Sequence, residues 1–142
     1  MSIVGQLVGA IVAEINGGVW KLPLRAEVAY RPRFELAELD VLHVTVVPRS
    51  LTIDPADRLR DMIHYQVDVA IQRRLDNEDF SALEPLLELV EQLAQYFRLR
   101  RPVAMPSALC TRVENDPLYA IEHLDELRCF TSILTLSFQV MR

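Results

Sequence analysis

The sequence predicts an α+β fold, in which an antiparallel sheet of about four to five strands carries an N-terminal helix and one long amphipathic helix. Three observations lead to this prediction. Residues 134–140 alternate strictly between apolar and polar side chains, which is the period of a half-buried strand. Residues 63–72 alternate in the same way, whereas residues 83–97 repeat apolar side chains at helical spacing. Because the elements do not alternate as strand, helix, strand, an α/β fold is not predicted.

The length and composition predict one globular domain over residues 1–142. Hydrophobic residues make up 51% and charged residues 25% of the chain, which excludes a disordered protein. No apolar stretch approaches the ~20 residues of a membrane helix, and the N-terminus lacks the basic region and cleavage site of a signal peptide. We therefore expect a protein made in the cytoplasm, with Cys110 and Cys129 as buried thiols rather than a disulfide.

The first predicted element is a helix that is capped by Ser2 and keeps its apolar spacing through Ile15. The motif Asn16-Gly17-Gly18 is predicted to end it, with glycine in the left-handed conformation. The opposite side of the helix carries three small residues at successive steps of four. They are Gly5, Gly9 and Ala13. Two interpretations remain open here: a second surface approaches closely at this side, or the helix is central in its own core.

The middle of the chain predicts an antiparallel pair of strands. A hairpin-like connection over residues 20–32 leads to a first strand over 41–47. The second strand of the pair occupies 63–72, and residues 49–61 form a predicted loop between the two. This loop is longer than a hairpin requires, and loops of such length are usually functional or mobile.

The pattern of the second half of the sequence predicts a long helix followed by two strands. Ser81 and Glu84 fit a capping box at the start of the helix over 83–97. A third strand is predicted over 108–114, and a loop then runs from 115 to about 128 before the closing strand. The polar face of that closing strand carries only uncharged groups, which suit contact with another protein. These residues are Thr135, Ser137 and Gln139.

The sequence offers no constellation that predicts catalysis. His43, His64 and His123 share no metal-ligand spacing, and no glycine-rich phosphate loop is present. His64 and Asp68 share one face of a strand, where a solvated pair is the expected outcome. We therefore predict a protein that is not an enzyme, without catalytic, cofactor-binding or metal-binding residues and without a cofactor.

The basic side chains are almost all arginine, because Lys21 is the only lysine. Arginine makes planar, bidentate contacts and is enriched at protein interfaces, where lysine is depleted. The arginines cluster in two predicted connecting segments. The first cluster is Arg49, Arg58 and Arg60, and the second is Arg98, Arg100 and Arg101. Each cluster is interpreted either as a solvated rim or as a subunit contact, and the net charge of −5 disfavours tight binding to nucleic acid.

Two strands carry a resemblance to a known family. They are Tyr65-Gln66-Val67-Asp68-Val69-Ala70-Ile71-Gln72-Arg73-Arg74 and the closing Phe130-Thr131-Ser132-Ile133-Leu134-Thr135-Leu136. Together with the order of the elements, they resemble the tail terminator and neck proteins of long-tailed bacteriophages over nearly the whole chain. The resemblance implies a virion protein of the tail end or neck. Such a subunit forms a hexameric ring on the tail tube, stops polymerisation of the tube and offers its other side to the head connector.

The resemblance also implies the partners and leaves alternatives. The partners are further copies of the chain, the tail tube protein and the head connector or a head-completion protein, with no membrane. DNA passes through the ring without sequence-specific binding, and an acidic subunit suits such a wall because it repels phosphate. A head-closure or tail-completion protein of the same neck region is one alternative. A cytosolic binding module or a small enzyme of unknown substrate is the alternative from a different class.

Overall fold

The computed structural model describes residues 2–29, 41–75 and 80–142, and five strands form one sheet in this part of the chain. The strands are β1 (Ala26–Val28), β2 (His43–Pro55), β3 (Asp61–Arg74), β4 (Ala108–Glu114) and β5 (Cys129–Met141). Their order in the sheet is β1-β2-β3-β5-β4. β1 runs parallel to β2, and all other neighbours are antiparallel. The fold is α+β as predicted, but the sheet is mixed rather than purely antiparallel.

The parallel strand β1 is the reason for this difference. It has only three residues, too few to show an alternating pattern in the sequence. The residues between β1 and β2, 29–42, are enough for the crossover that parallel pairing needs, roughly a dozen residues. The predicted hairpin-like connection over 20–32 is thus wrong where the structure describes it, and its residues 30–32 lie outside the described ranges.

The N-terminal helix α1 (Ile3–Asn16) forms where the sequence predicts it. Ser2 is its N-cap, and the Ser2 hydroxyl accepts a hydrogen bond from the Gly5 amide at 3.0 Å. Gly17 ends the helix with φ −88°, an ordinary right-handed conformation, so the prediction of a left-handed glycine is wrong. The last turn is closed instead by the Gly17 amide, which donates to the Ala13 carbonyl at 3.0 Å.

The other helices are α2 (Leu83–Phe97) and α3 (Ile121–Leu127). A 3-10 turn over Phe80–Ala82 precedes α2, so the N-cap is Ala82 rather than the predicted Ser81. The prediction of a loop over 115–128 is also wrong, since α3 occupies part of it. α3 has two turns and no buried residue, so the sequence holds no apolar period that would reveal it.

The long loop predicted over residues 49–61 is mostly strand. β2 continues to Pro55, β3 begins at Asp61, and only the turn Ala56–Arg60 separates them. A bulge between Pro48 and Ser50 allows β2 to continue beyond Pro48, although proline usually ends a strand. Beyond it the pairing is regular, with Ile53 opposite Ile63.

One hydrophobic core lies between the two longer helices and one face of the sheet. The alternating faces predicted for β3 and β5 are confirmed, since the core-facing residues of both strands are buried. They include Val67, Val69 and Ile71 of β3, and Leu134, Leu136, Phe138 and Val140 of β5. Cys110 and Cys129 are buried free thiols, as predicted. Burial in apolar surroundings raises the pKa of the Cys110 thiol to about 11, so this cysteine is an inert part of the core.

Candidate assembly surfaces

The face of the sheet opposite the core is polar and carries one connected group of side chains. Arg49 lies at the β2 bulge rather than in a loop, and its Nη1 is 3.4 Å from Asp68 Oδ1. The same Nη1 donates to Thr135 Oγ1 at 3.1 Å, and the Thr135 hydroxyl donates to Asp68 Oδ1 at 2.8 Å. Three neighbouring strands are thus joined across the face. On the other side of β5, Arg112 and Glu114 of β4 lie opposite Ser137 and Thr135 on the same face and pair with each other at 3.4 Å.

His64 does not contact Asp68 in the way a catalytic pair would require. The structure places His64 Nε2 3.6 Å from Asp54 Oδ2 on the neighbouring strand, and both side chains are well exposed. Asp68 is occupied by Arg49 and Thr135 instead. Within residues 2–29, 41–75 and 80–142, no three His, Cys, Asp or Glu side chains converge as a metal site.

The turn between β2 and β3 is held rigidly by one carboxylate. Asp57 Oδ1 accepts hydrogen bonds from the amides of Leu59 and Arg60, both at 2.8 Å, and Oδ2 accepts from Arg60 Nε at 3.1 Å. These bonds, led by that from the Leu59 amide, lower the pKa of Asp57. The Leu59 side chain is 93% exposed, and Arg58 beside it is exposed as well. The turn therefore presents a leucine to solvent on a backbone that is hydrogen-bonded to Asp57.

The second arginine cluster does not lie together on one exposed segment. Arg98 and Arg101 are exposed, and Arg101 Nη1 donates to the Pro106 carbonyl at 3.0 Å. Arg100 is half-buried, because its guanidinium lies over the Tyr96 ring at 3.9 Å and beside Glu14. Arg100 is thus part of the folded structure, and only the other two arginines are available to a partner.

Glu14 is a buried carboxylate that sequence reasoning missed. Its side chain is 9% exposed. Glu14 Oε2 accepts from the Tyr96 hydroxyl at 2.7 Å, and Oε1 accepts from the Val103 amide at 2.9 Å. The Arg100 guanidinium approaches the two oxygens at 3.4 and 3.5 Å. Position 14 is seven residues after the buried Leu7, on the apolar side of α1, and this placement is the sequence signal that could have revealed it.

These contacts predict an acid-sensitive contribution to stability. Burial raises the pKa of Glu14, but hydrogen bonds from Tyr96 and Val103 and the charge of Arg100 outweigh it, so the pKa lies below the ordinary 4.5. A carboxyl group with a depressed pKa stabilises the fold above its unfolded pKa, and this stabilisation is lost as pH falls through the folded pKa. We expect the free energy of unfolding to fall below about pH 5 more steeply in the natural chain than in a Glu14→Gln variant. Urea titrations at a series of acidic pH values measure this, and equal slopes would contradict it.

The side of α1 that carries the small residues faces outward. Gly9 and Ala13 are exposed and Gly5 is half-buried. A methyl group added at Gly9 would meet no atom within 4 Å. The interpretation that this helix is central in its own core is therefore wrong, and close approach by a second surface stays a prediction.

A cleft of about 420 Å³ lies between the C-terminal end of α2 and β4. Arg98 and Leu99 line it from one side and Arg112 from the other. Leu99 has φ 56°, an uncommon left-handed conformation for a leucine, and Arg112 is 3.4 Å from Glu114. The cleft is thus bordered by two guanidinium groups, of which Arg98 belongs to the predicted second cluster.

The chain matches no known protein-family model, and no curated protein sequence is significantly similar to it. Among the described helices, none has the length and apolar character that crossing a bilayer requires. The surfaces described above therefore carry the functional argument by themselves.

Proposed function

We propose that this chain is a structural subunit of a phage virion that forms a ring on the tail tube. The ring ends polymerisation of the tube and provides the surface that joins the tail to the head. The observation that supports this most is the β2–β3 hairpin, on which three large apolar side chains are more than half exposed. They are Leu51, Ile53 and Leu59. Large apolar side chains left exposed on one hairpin are typical of a surface that another protein covers.

The polar face of the sheet supports the same proposal. Along β5 it carries the uncharged Thr135, Ser137 and Gln139, and the charged side chains beside this strand form pairs, Arg49 with Asp68 and Arg112 with Glu114. Uncharged polar groups are removed from water at lower cost than charges, so this face suits burial between subunits. The net charge of −5 keeps DNA from adhering to a ring built from such subunits.

Two alternative functions can be distinguished from this proposal by experiment. A head-closure or tail-completion protein of the neck would use similar surfaces but would leave tail length unchanged when absent. A cytosolic binding module would use the cleft beside α2, where Arg98 and Arg112 favour an anionic ligand. Rings in negative-stain micrographs of concentrated protein, alone or on tail tubes, favour a ring subunit over a binding module.

The proposal is tested in the phage whose genome encodes the chain. Deletion of the gene should give tails of irregular, excessive length that fail to join heads. A double variant, Arg98→Glu with Arg101→Glu, should remain folded and impair ring formation or docking, because both side chains are exposed. Arg100 is left unchanged since Glu14 requires it. Electron microscopy of the particles measures tail length and the fraction of tails joined to heads.

The matched control is Lys21→Glu with Arg25→Glu, which changes the net charge by the same amount at exposed positions elsewhere. It should give normal particles. If the arginine variant also gives infectious particles with normal tails, Arg98 and Arg101 are only a solvated rim. If deletion of the gene leaves tail length and head joining unchanged, the terminator function itself is wrong.

A further inference from the structure

The turn Ala56–Arg60 presents an apolar knob with a basic side chain beside it. Asp57 holds Arg60 within the turn, with Arg60 Nη2 3.0 Å from Asp57 Oδ2. Arg58 forms no ion pair with any side chain in the described ranges, so its charge remains available to a partner. Leu59, between the two arginines, is the most exposed large apolar side chain among the described residues. We call this feature the turn knob: Arg58 and Leu59 on a turn fixed by Asp57.

The segment around α3 has the complementary character. Leu118 and Ile121 are 57% and 59% exposed, and no residue of α3 is buried. Three exposed carboxylates lie among these apolar side chains. They are Glu122, Asp125 and Glu126. Arg128 follows the helix, so an excess of negative charge remains. We call this feature the α3 patch: Leu118, Ile121 and the three carboxylates.

The sheet keeps the turn knob and the α3 patch apart within one chain. β3 begins at Asp61, directly after the turn, and its last residue, Arg74, pairs with Cys129, directly after α3 and Arg128. The fourteen residues of β3 span roughly 45 Å at 3.2–3.4 Å per residue. The two features therefore lie at opposite ends of the sheet, and they can meet only between different copies.

We propose that the turn knob of one copy docks on the α3 patch of the next copy, with Leu59 against Leu118 and Ile121 and with Arg58 facing the carboxylates of α3. This contact rests on the proposed ring function and assigns it an interface. It joins two different surfaces, so repetition gives a closed ring or an open filament rather than an isolated dimer. The cleft beside α2 is the poorer receptor for the knob, because Arg98 would oppose Arg58 and Arg112 is already paired with Glu114.

Disulfide trapping tests this contact on the full chain. The double variant Leu59→Cys with Ile121→Cys should form a ladder of covalent multimers under mild oxidation, because each copy carries both halves of the contact. Each single variant should give monomers and at most dimers. Both positions are exposed, so the fold is retained, and the natural cysteines are buried. The contact is wrong if the double variant gives only the products of the single variants at concentrations where rings form. It is also wrong if no ladder appears at any concentration or on tail tubes.

Charge reversal tests the orientation of the same contact. In the double-cysteine background, Arg58→Glu should reduce the multimer fraction at least about tenfold, because it sets like charges against each other. Adding Glu122→Arg and Asp125→Arg should restore the ladder. An undiminished ladder after Arg58→Glu, or no restoration by the reversed α3 charges, would overturn the pairing of Arg58 with the α3 patch.

Failure of this contact and failure of the ring function give different results. Rings that form in micrographs while the cysteine variants give no ladder would overturn the contact and leave the proposed function standing. Normal tails after deletion of the gene would overturn the proposed function, whatever the cysteine variants show.

Discussion

Replacement of Val69 by aspartate should leave no folded protein. Val69 is fully buried in β3, where its neighbours in the sheet are Val46 and Leu134. A carboxylate at this position would lose its hydration without gaining a partner, at a cost of several kcal/mol. Since the whole fold is worth about 5–15 kcal/mol, we expect loss of soluble expression and of the circular dichroism signal.

The adjacent residue provides the matched control. Asp68 points to the polar face, where it pairs with Arg49, whose side chain is 54% exposed. An Asp68→Asn variant keeps an amide oxygen that accepts from the Thr135 hydroxyl and loses only a partly solvated ion pair, worth up to about 1 kcal/mol. It should be folded. If both variants are tolerated equally, the assignment of the two faces of β3 is wrong.

Removal of the Glu14 side chain should have the second largest effect. A Glu14→Ala variant leaves the Tyr96 hydroxyl, the Val103 amide and the Arg100 guanidinium without their shared acceptor. Loss of these partly buried hydrogen bonds to a charged acceptor costs about 2–4 kcal/mol in total. This loss should lower the Tm by roughly 10 °C, which thermal unfolding measures directly.

Glu91→Ala serves as the control for this substitution. Glu91 is exposed on α2, where alanine is a good helix former, so its replacement should change stability by less than about 0.5 kcal/mol. Similar Tm values for the two variants would mean that the carboxylate of Glu14 does not hold the contacts described. A pH profile distinguishes the same possibilities, since the part of the acid dependence that comes from Glu14 should be lost in Glu14→Ala but persist in Glu91→Ala.

The sequence predicted those parts of the fold that have a local period. The alternation in β3 and β5 identifies both faces correctly because one face is buried by helices along nearly its whole length. The predicted first strand ends too early, because Pro48, Asp54 and Pro55 favour a turn. No local pattern shows that a bulge and a long partner strand keep these residues in β2. The parallel pairing of β1 and the short helix α3 lack enough residues for any period to appear.

The candidate surfaces were harder to predict, because their decisive contacts join residues far apart in the chain. Arg98, Arg100 and Arg101 look alike in the sequence, yet Arg100 alone reaches Glu14, 86 residues earlier. Arg49 was assigned to a loop, whereas the structure sets it against Thr135 on the polar face. The exposure of Gly9 and Ala13 likewise depends on which side of α1 the sheet covers, and the sequence left that question open.

The Glu14 carboxylate connects two of the surfaces that the proposed ring would use. It follows Ala13 directly on α1, and it holds the backbone of Val103, two residues after Arg101. The outward side of α1 and the segment that bears Arg98 and Arg101 are thus joined through Glu14, which bonds to Arg100 and to the Val103 amide. Ordering these two surfaces costs conformational entropy during folding, so this cost does not reduce the affinity for a partner. A partner that touches both gains affinity from this preorganisation, even if each contact alone is weak.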